Sequence, residues 1–586
     1  MYIQSGLYLE WKKERINKKN MSIKKIGWLV VVLFITTMAT AQTSKLADLV
    51  SELEADTKAL NHTYIIQESQ EYYQRFSSFY ELWMKKIAAI DFNALKQQEK
   101  VDYILLKNLV NKEVYYLNQE YTAFKEVSDV SKFTNDIFPF INQRRRGKKP
   151  NSKELAQLLQ DALNSIETDM ESSKSKPFKD WQTADKASNV VLSFQKGLEE
   201  AYNFYYSYDP DFTWWVKQPY VKLNEKLTVY INFLKNNYLQ TSIKDDGSGI
   251  IGKPIGENAL NESLALEFIP YSPKDLIRTA EEQFVWCKNE MIKASLELGF
   301  GEDWKAALKH VKNSYVPPGE QPEAIMDLYV NSVKFIEDRD LISLPDLAKE
   351  TWGMNMMTPE RQKVNPFFTG GRDISISYPT LDMDHDDKMM SMRGNNPNFS
   401  FPTVQHELLP GHNLQFFMTS RHKSYRRSFS TPFWVEGWPL YWEINLWNKD
   451  FPQSPEQKLG MLFWRIHRCA RIIFSLKFHL GEMTPQECIT LLIDDVGHEY
   501  ANAEAEVRRS FTTNYPPLYQ LAYMIGGLQF YALKNEMLKK GWSEKRFHDM
   551  VMEEGSMPVE LLRSLIQNIP LNKNYKTNWK FSTDFD

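Results

Sequence analysis

Cysteine is scarce: of 586 residues only Cys287, Cys469 and Cys488 carry a thiol, an odd number. A disulfide framework is thereby excluded as the basis of the fold, which must stand on its apolar core. An excess of charge of one sign is missing too. Lys plus Arg total 71 against 75 Asp plus Glu, a net charge of -4, so the basic surface that nucleic-acid binding requires is not provided. Long apolar runs are confined to residues 26–41, IGWLVVVLFITTMATA, and this run is short for a bilayer span. Lys24 and Lys25 precede it and Ala39-Thr40-Ala41 stand before Gln42, the order of a secretory signal peptide. The residues before Met21 read as upstream sequence. No Cys follows the expected cleavage point to carry a lipid. The expectation is an exported protein, periplasmic or secreted, with no stable membrane span in a mature chain beginning near Gln42.

What is present is the ordinary mix of a soluble globular protein, 42% hydrophobic and 25% charged, with aromatics at 13%. From Ser44 to about Tyr238 apolar residues recur every three or four positions, which predicts helices throughout. The run Arg144-Arg145-Arg146-Gly147-Lys148-Lys149-Pro150 reads as a solvated loop, with Ser152 as the N-cap of the next helix. KDDGSGIIGKPIGE, residues 244–257, is the strongest Gly/Pro break. It divides an N-terminal helical lobe, 42–245, from a second lobe, 246–586, behind the leader at 1–41. Helices resume at Pro273, a residue suited to a first turn. Residues 372–380, RDISISYPT, alternate as a strand does. Asp382, Asp384, Asp386 and Asp387 then read as a solvated acidic loop, since Asp387 stands where a calcium loop needs Gly.

The chemistry concentrates in Val404-Gln405-His406-Glu407-Leu408-Leu409-Pro410-Gly411-His412. Two His four apart on a helix share one face and can share one metal. Here they are six apart, about 240° around an ideal helix. Pro410 cannot donate to the carbonyl of His406 and Gly411 tolerates unusual dihedrals, so the spacing predicts a helix that bulges at Pro-Gly and returns His412 to the metal. Chance supplies roughly 0.02 matches of His-acid with a second His six residues on in a chain of this composition. A catalytic zinc takes three protein ligands and leaves a fourth position for water. Glu436, in Phe433-Trp434-Val435-Glu436-Gly437-Trp438, is the first candidate for the third ligand and Glu443 the second. Glu407 is placed to be the general base. Phe416, Phe417, Trp434, Trp438, Tyr441 and Trp442 are candidates for a pocket wall, or equally for core packing.

The order HELLPGH, VEGW and Tyr523-Met524-Ile525-Gly526 resembles the bacterial family labelled "domain of unknown function eight-eighty-five", regarded as zinc metallopeptidases of the thermolysin-like clan. Residues 406–415 match its metal-helix pattern, except that Asn413 replaces the second of two paired His. The resemblance implies a mainly α, large two-lobed metallopeptidase-like fold with a small β-sheet beside the metal helix. It implies one zinc ion per chain on His406, His412 and Glu436. Among segments similar to the family's, Tyr523 and His479 are the expected oxyanion donors, and Arg509 the clamp for a peptide carboxylate. Tyr523 also reads as a plain core residue and Arg509 as an ion-pair partner of Glu506. The implied activity is hydrolysis of short peptides by a zinc-activated water with Glu407 as base. A zinc hydrolase of another amide or ester, or an inactive exported binding protein, is the alternative.

Overall fold

Capping residues set the helix boundaries over much of the chain. Ser272 accepts from Asp275 N–H while Asp275 reaches back to Ser272, a reciprocal cap that starts helix Pro273–Glu297. At Ser152–Ser173 the N-cap is Asn151, one residue earlier than the sequence suggested, because its side chain accepts from Glu154 N–H. The computed structural model describes residues 45–240, 245–364, 369–371, 373–377, 379–512 and 515–581. The leader expected over 1–41 lies outside these residues, as do Arg372 and Tyr378 of the strand segment.

The chain divides into two compact units, Met1–Ala55 and Asp56–Asp586. The described part of the first, residues 45–55, is helical. The second is mainly α. Helices Ser152–Ser173, Trp181–Tyr205 and Pro210–Asn236 bury a common core that includes Leu159, Ile166, Val191, Phe194, Leu223 and Leu227. Among the described residues the only sheet is a parallel pair, β1 (Gly353–Met356) and β2 (Asp373–Ile376), with Gly353 opposite Asp373. At Ser375 the outer edge of β2 is taken by Thr369, which exchanges both backbone hydrogen bonds with it. The acidic segment is a loop only as far as Asp384. Helix His385–Gly394 starts there, with Asp386 and Asp387 in a first turn that favours negative charge. Among the described residues no helix is long and apolar enough to cross a membrane.

A buried ionic network ties distant parts of the second unit together. Asp102, on helix Gln97–Val127, accepts from Arg426 Nε at 2.8 Å and from the Tyr425 hydroxyl at 2.8 Å. Arg426 also donates to the backbone carbonyl and carboxylate of Glu554, and neither Asp102 nor Arg426 has measurable exposure.

Burial holds four histidines, His467, His479, His498 and His548, below their ordinary pKa. His548 Nδ1 donates to the Leu341 carbonyl at 2.7 Å, which leaves Nε2 to accept from the Tyr441 hydroxyl. Burial depresses its pKa to about 4, against a weaker opposing pull from the Leu341 hydrogen bond. His498 lies 3.0 Å from His467 and is pushed down by burial to about 3, and His467 is likewise held well below its ordinary 6.5. The unfolded chain therefore binds more protons than the folded one below pH 6.5, so this stability is complete above that pH and is lost as pH falls towards 4. For His548 alone the span corresponds to about 3 kcal/mol. The urea midpoint should fall steadily between pH 7 and pH 4, and His548→Gln, whose amide supplies both donors and an acceptor without titrating, should flatten that slope.

Candidate metal centre

The His406 helix, Pro397–Glu407, begins where the Asn396 side chain accepts from Asn398 and Phe399 N–H. It ends at Glu407. The expected continuous helix with a Pro-Gly bulge is not what forms: the helix stops, residues 408–411 make a turn with a cis Leu409–Pro410 bond, and a second helix, His412–Thr419, starts. Two contacts explain the break. Trp438 Nε1 donates to the Pro410 carbonyl at 2.9 Å and pins the turn. Gly411 sits directly on the end of the first helix, where a Cβ would lie 2.0 Å from the His406 carbonyl oxygen and 2.3 Å from that of Gln405. Gly411 is thus needed for close approach. Its φ is -79°. The two imidazoles meet with ring centres 4.9 Å apart and planes at 81°.

Glu436 lies between the short helix Pro432–Val435 and the helix Gly437–Trp447, which carries Glu443. Seven residues of helix bring side chains back to nearly the same face, and both carboxylates reach the histidines. Glu436 Oε2 is 3.2 Å from His412 Nε2 and 3.6 Å from His406 Nε2. Glu443 Oε1 instead accepts from His406 Nδ1 at 2.7 Å, so Glu443 orients His406 while Glu436 completes the cluster. The donor atoms of His406, His412 and Glu436 all lie within 4.8 Å of one another, and all three residues are buried. Burial opposes the charge on each, yet hydrogen bonds to Glu436 and Glu443 raise the His406 pKa to about 9, and the two imidazoles hold Glu436 well below the usual carboxylate range.

The helix Tyr519–Lys539 closes the other side. It crosses the Glu443 helix with no side chains between them: a Cβ on Gly437 would lie 2.6 Å from the Cα of Gly526. That approach brings the Tyr519 hydroxyl to 2.6 Å from Glu436 Oε1 and lays the Tyr523 ring 6.1 Å from His406, tilted by 21°. Burial and the Glu436 charge push the Tyr523 hydroxyl up to about 12, so it keeps its proton. Glu407, next in sequence to His406, lies outside the ligand cluster but within reach of its charges. A Cβ on Gly370, in the loop entering β2, would stand 1.8 Å from its Oε2. Desolvation there raises the carboxyl above its ordinary value, although both histidines oppose the shift.

Glu407 and Tyr523 thus join His406, His412 and Glu436, whereas two other expected residues do not. His479 ends the long helix Pro455–His479, about 16 Å further along its axis than Arg468, and packs on Phe478 and Phe511. Arg509 is tied to Glu506 on its own helix, the structural reading the sequence had left open. The aromatic wall is also corrected. Trp434, Trp438, Tyr441 and Trp442 are core residues with no exposure, and apart from Glu443 and Asn445 the helix that carries the last three is apolar. Phe416, 45% exposed, stacks on His412. Glu443, spaced for the role, was expected as a substitute ligand, and Tyr519 carries no spacing signal.

No curated protein matches the chain significantly. A candidate lipoprotein of unknown function from Shewanella oneidensis has a similar structure, with a TM-score of 0.64 and 18% identity over 90% of this chain and 100% of that one. A candidate lipoprotein from Colwellia psychrerythraea is similar at a TM-score of 0.56 and 16% identity, over 89% and 98%. At these identities the likeness establishes the shared, mainly helical fold. The family described as "Bacterial protein of unknown function (DUF885)" matches residues 58–566, and the chain belongs to it.

Proposed function

We propose that the protein is an exported zinc-dependent peptidase acting on short peptides. The observation that carries this reading is the convergence of two imidazole Nε2 atoms and one carboxylate oxygen beside a separate, desolvated Glu. Four ligands around a tetrahedral zinc at about 2.0–2.1 Å stand about 3.3–3.4 Å apart, and the Glu436 oxygen lies 3.2 and 3.6 Å from the two nitrogens. His406, His412 and Glu436 would hold the ion, which when bound lowers the pKa of water towards 7 and polarises a carbonyl. Glu407 would accept the proton of the attacking water and return it to the leaving amine. Tyr523, protonated and beside His406, would donate to the developing oxyanion. Glu443 fixes the tautomer of His406, leaving Nε2 free to ligate. Export is supported by the leader pattern and by the description of both similar structures as candidate lipoproteins.

The test is zinc content by mass spectrometry on protein purified without chelator, beside His412→Ala, followed by a short-peptide library. About one zinc per chain, lost in the variant, with cleavage of library members, is the expected result. No zinc after add-back, or an uncut library, would overturn it. Glu443→Gln should keep the ion but weaken zinc binding by about 10–100-fold, measured by competition with a chromophoric chelator.

A further inference from the structure

We infer that the substrate carries a carboxylate beside the bond attacked and that Arg468 receives it. The inference rests on the hydrolytic reading above and gives its substrate class. Arg468 sits on helix Pro455–His479 and is 8% exposed. Among the described residues it makes no hydrogen bond or ion pair, and its buried Nε has no partner. Its guanidinium is held only by rings, 4.5 Å from the centre of Tyr523 and 5.3 Å from that of Trp464. A buried charge left without a counter-ion is costly, and its place explains why one is kept here.

Tyr523 is the same ring that lies parallel to His406, so Arg468 is one aromatic ring away from the metal cluster. The electrostatic fields of Glu443 and Glu436 reach it, and its own field reaches Glu407. None of these carboxylates is in ion-pair contact with it. The neighbouring arginines are differently placed. Arg471 donates to Glu506 at 2.7 Å, and Arg509 pairs with the other oxygen of that carboxylate. Burial opposes ionisation of Glu506, but these two cations hold it at about 2. Of the two guanidinium groups against the Tyr523 ring, Arg468 at 4.5 Å and Arg471 at 4.7 Å, only Arg471 has a carboxylate partner. A planar guanidinium offers two parallel N–H donors, which suits a carboxylate better than any neutral group. The carboxylate is either the C-terminus of a peptide or an acidic side chain next to the scissile bond.

The test uses the zinc-loaded full chain carrying Glu407→Gln, which binds without turnover, and isothermal titration with three probes. These are Ala-Ala-Phe as the free acid, Ala-Ala-Phe amide and Ala-Asp-Phe amide. At least one carboxylate peptide should bind about tenfold or more tightly than Ala-Ala-Phe amide, and whichever does so identifies the source of the carboxylate. Adding Arg468→Gln should erase the difference, and Arg468→Lys should restore part of it. Equal binding of all three probes, no binding of any, or discrimination unchanged in Arg468→Gln would overturn the inference. The arms on the Arg468-intact protein decide the matter should Arg468→Gln fail to fold. If the parent chain cleaves peptides yet shows no preference for a carboxylate, the inference fails and the hydrolytic reading stands. If it binds the carboxylate selectively and cleaves nothing, the hydrolytic reading fails while the Arg468 site survives.

Discussion

Glu407→Gln should slow peptide hydrolysis by about 10²–10⁴-fold, the range of a single acid–base group, with zinc content unchanged. The variant side chain has the same shape, so it fits under Gly370 as the carboxylate does, but its amide accepts no proton. Because Glu407 is not a member of the ligand cluster, its loss leaves the donor atoms in place. Removing a desolvated carboxylate next to Glu436 should also leave the melting temperature unchanged or slightly higher. Turnover of a fluorogenic peptide together with zinc stoichiometry checks both halves. Activity within threefold of the parent would remove Glu407 from the chemistry.

Gly411→Ala should reduce bound zinc from about one per chain to near none, with all ligand residues still present. The added Cβ would meet the His406 and Gln405 carbonyl oxygens at 2.0 and 2.3 Å, and both are backbone atoms with no rotamer to escape into. The turn must therefore move. It is anchored at Pro410 by Trp438, so the displacement falls on His412. Overpacking of this kind costs about 1–3 kcal/mol, readable as a lowered urea midpoint. Zinc retained at full stoichiometry would mean that the helix end adapts without moving its ligand.

How much of this was readable from the chain depends on whether a feature is local. The His406–Glu407–His412 group stands out by its residue types around Pro410-Gly411, and the acidic candidates at 436 and 443 because seven residues of helix return to nearly the same face. The break at Pro410 was not readable, since a bulge and a stop have the same local sequence and Trp438 selects between them from a distant helix. Aromatic composition likewise could not separate core from cleft around Trp434 and Trp442, whose burial depends on the helices packed against them. Arg468 gave no signal because its significance lies in a missing partner, and absence of a contact has no motif. The mainly helical class was evident from periodicity, and the start of a helix at Pro273 from its residue type alone.

The Asp102–Arg426–Glu554 network bears on how this gene could be shortened. A chain begun at the Gly/Pro break near residue 246 would keep every proposed ligand, yet it would strip the buried Arg426 guanidinium of the Asp102 carboxylate. Breaking a buried pair in that one-sided way costs about 3–5 kcal/mol, a large part of the margin by which most folded chains survive. Inherited deletions of the early helices should therefore surface as insoluble or rapidly degraded protein, long before they could surface as an altered choice of substrate.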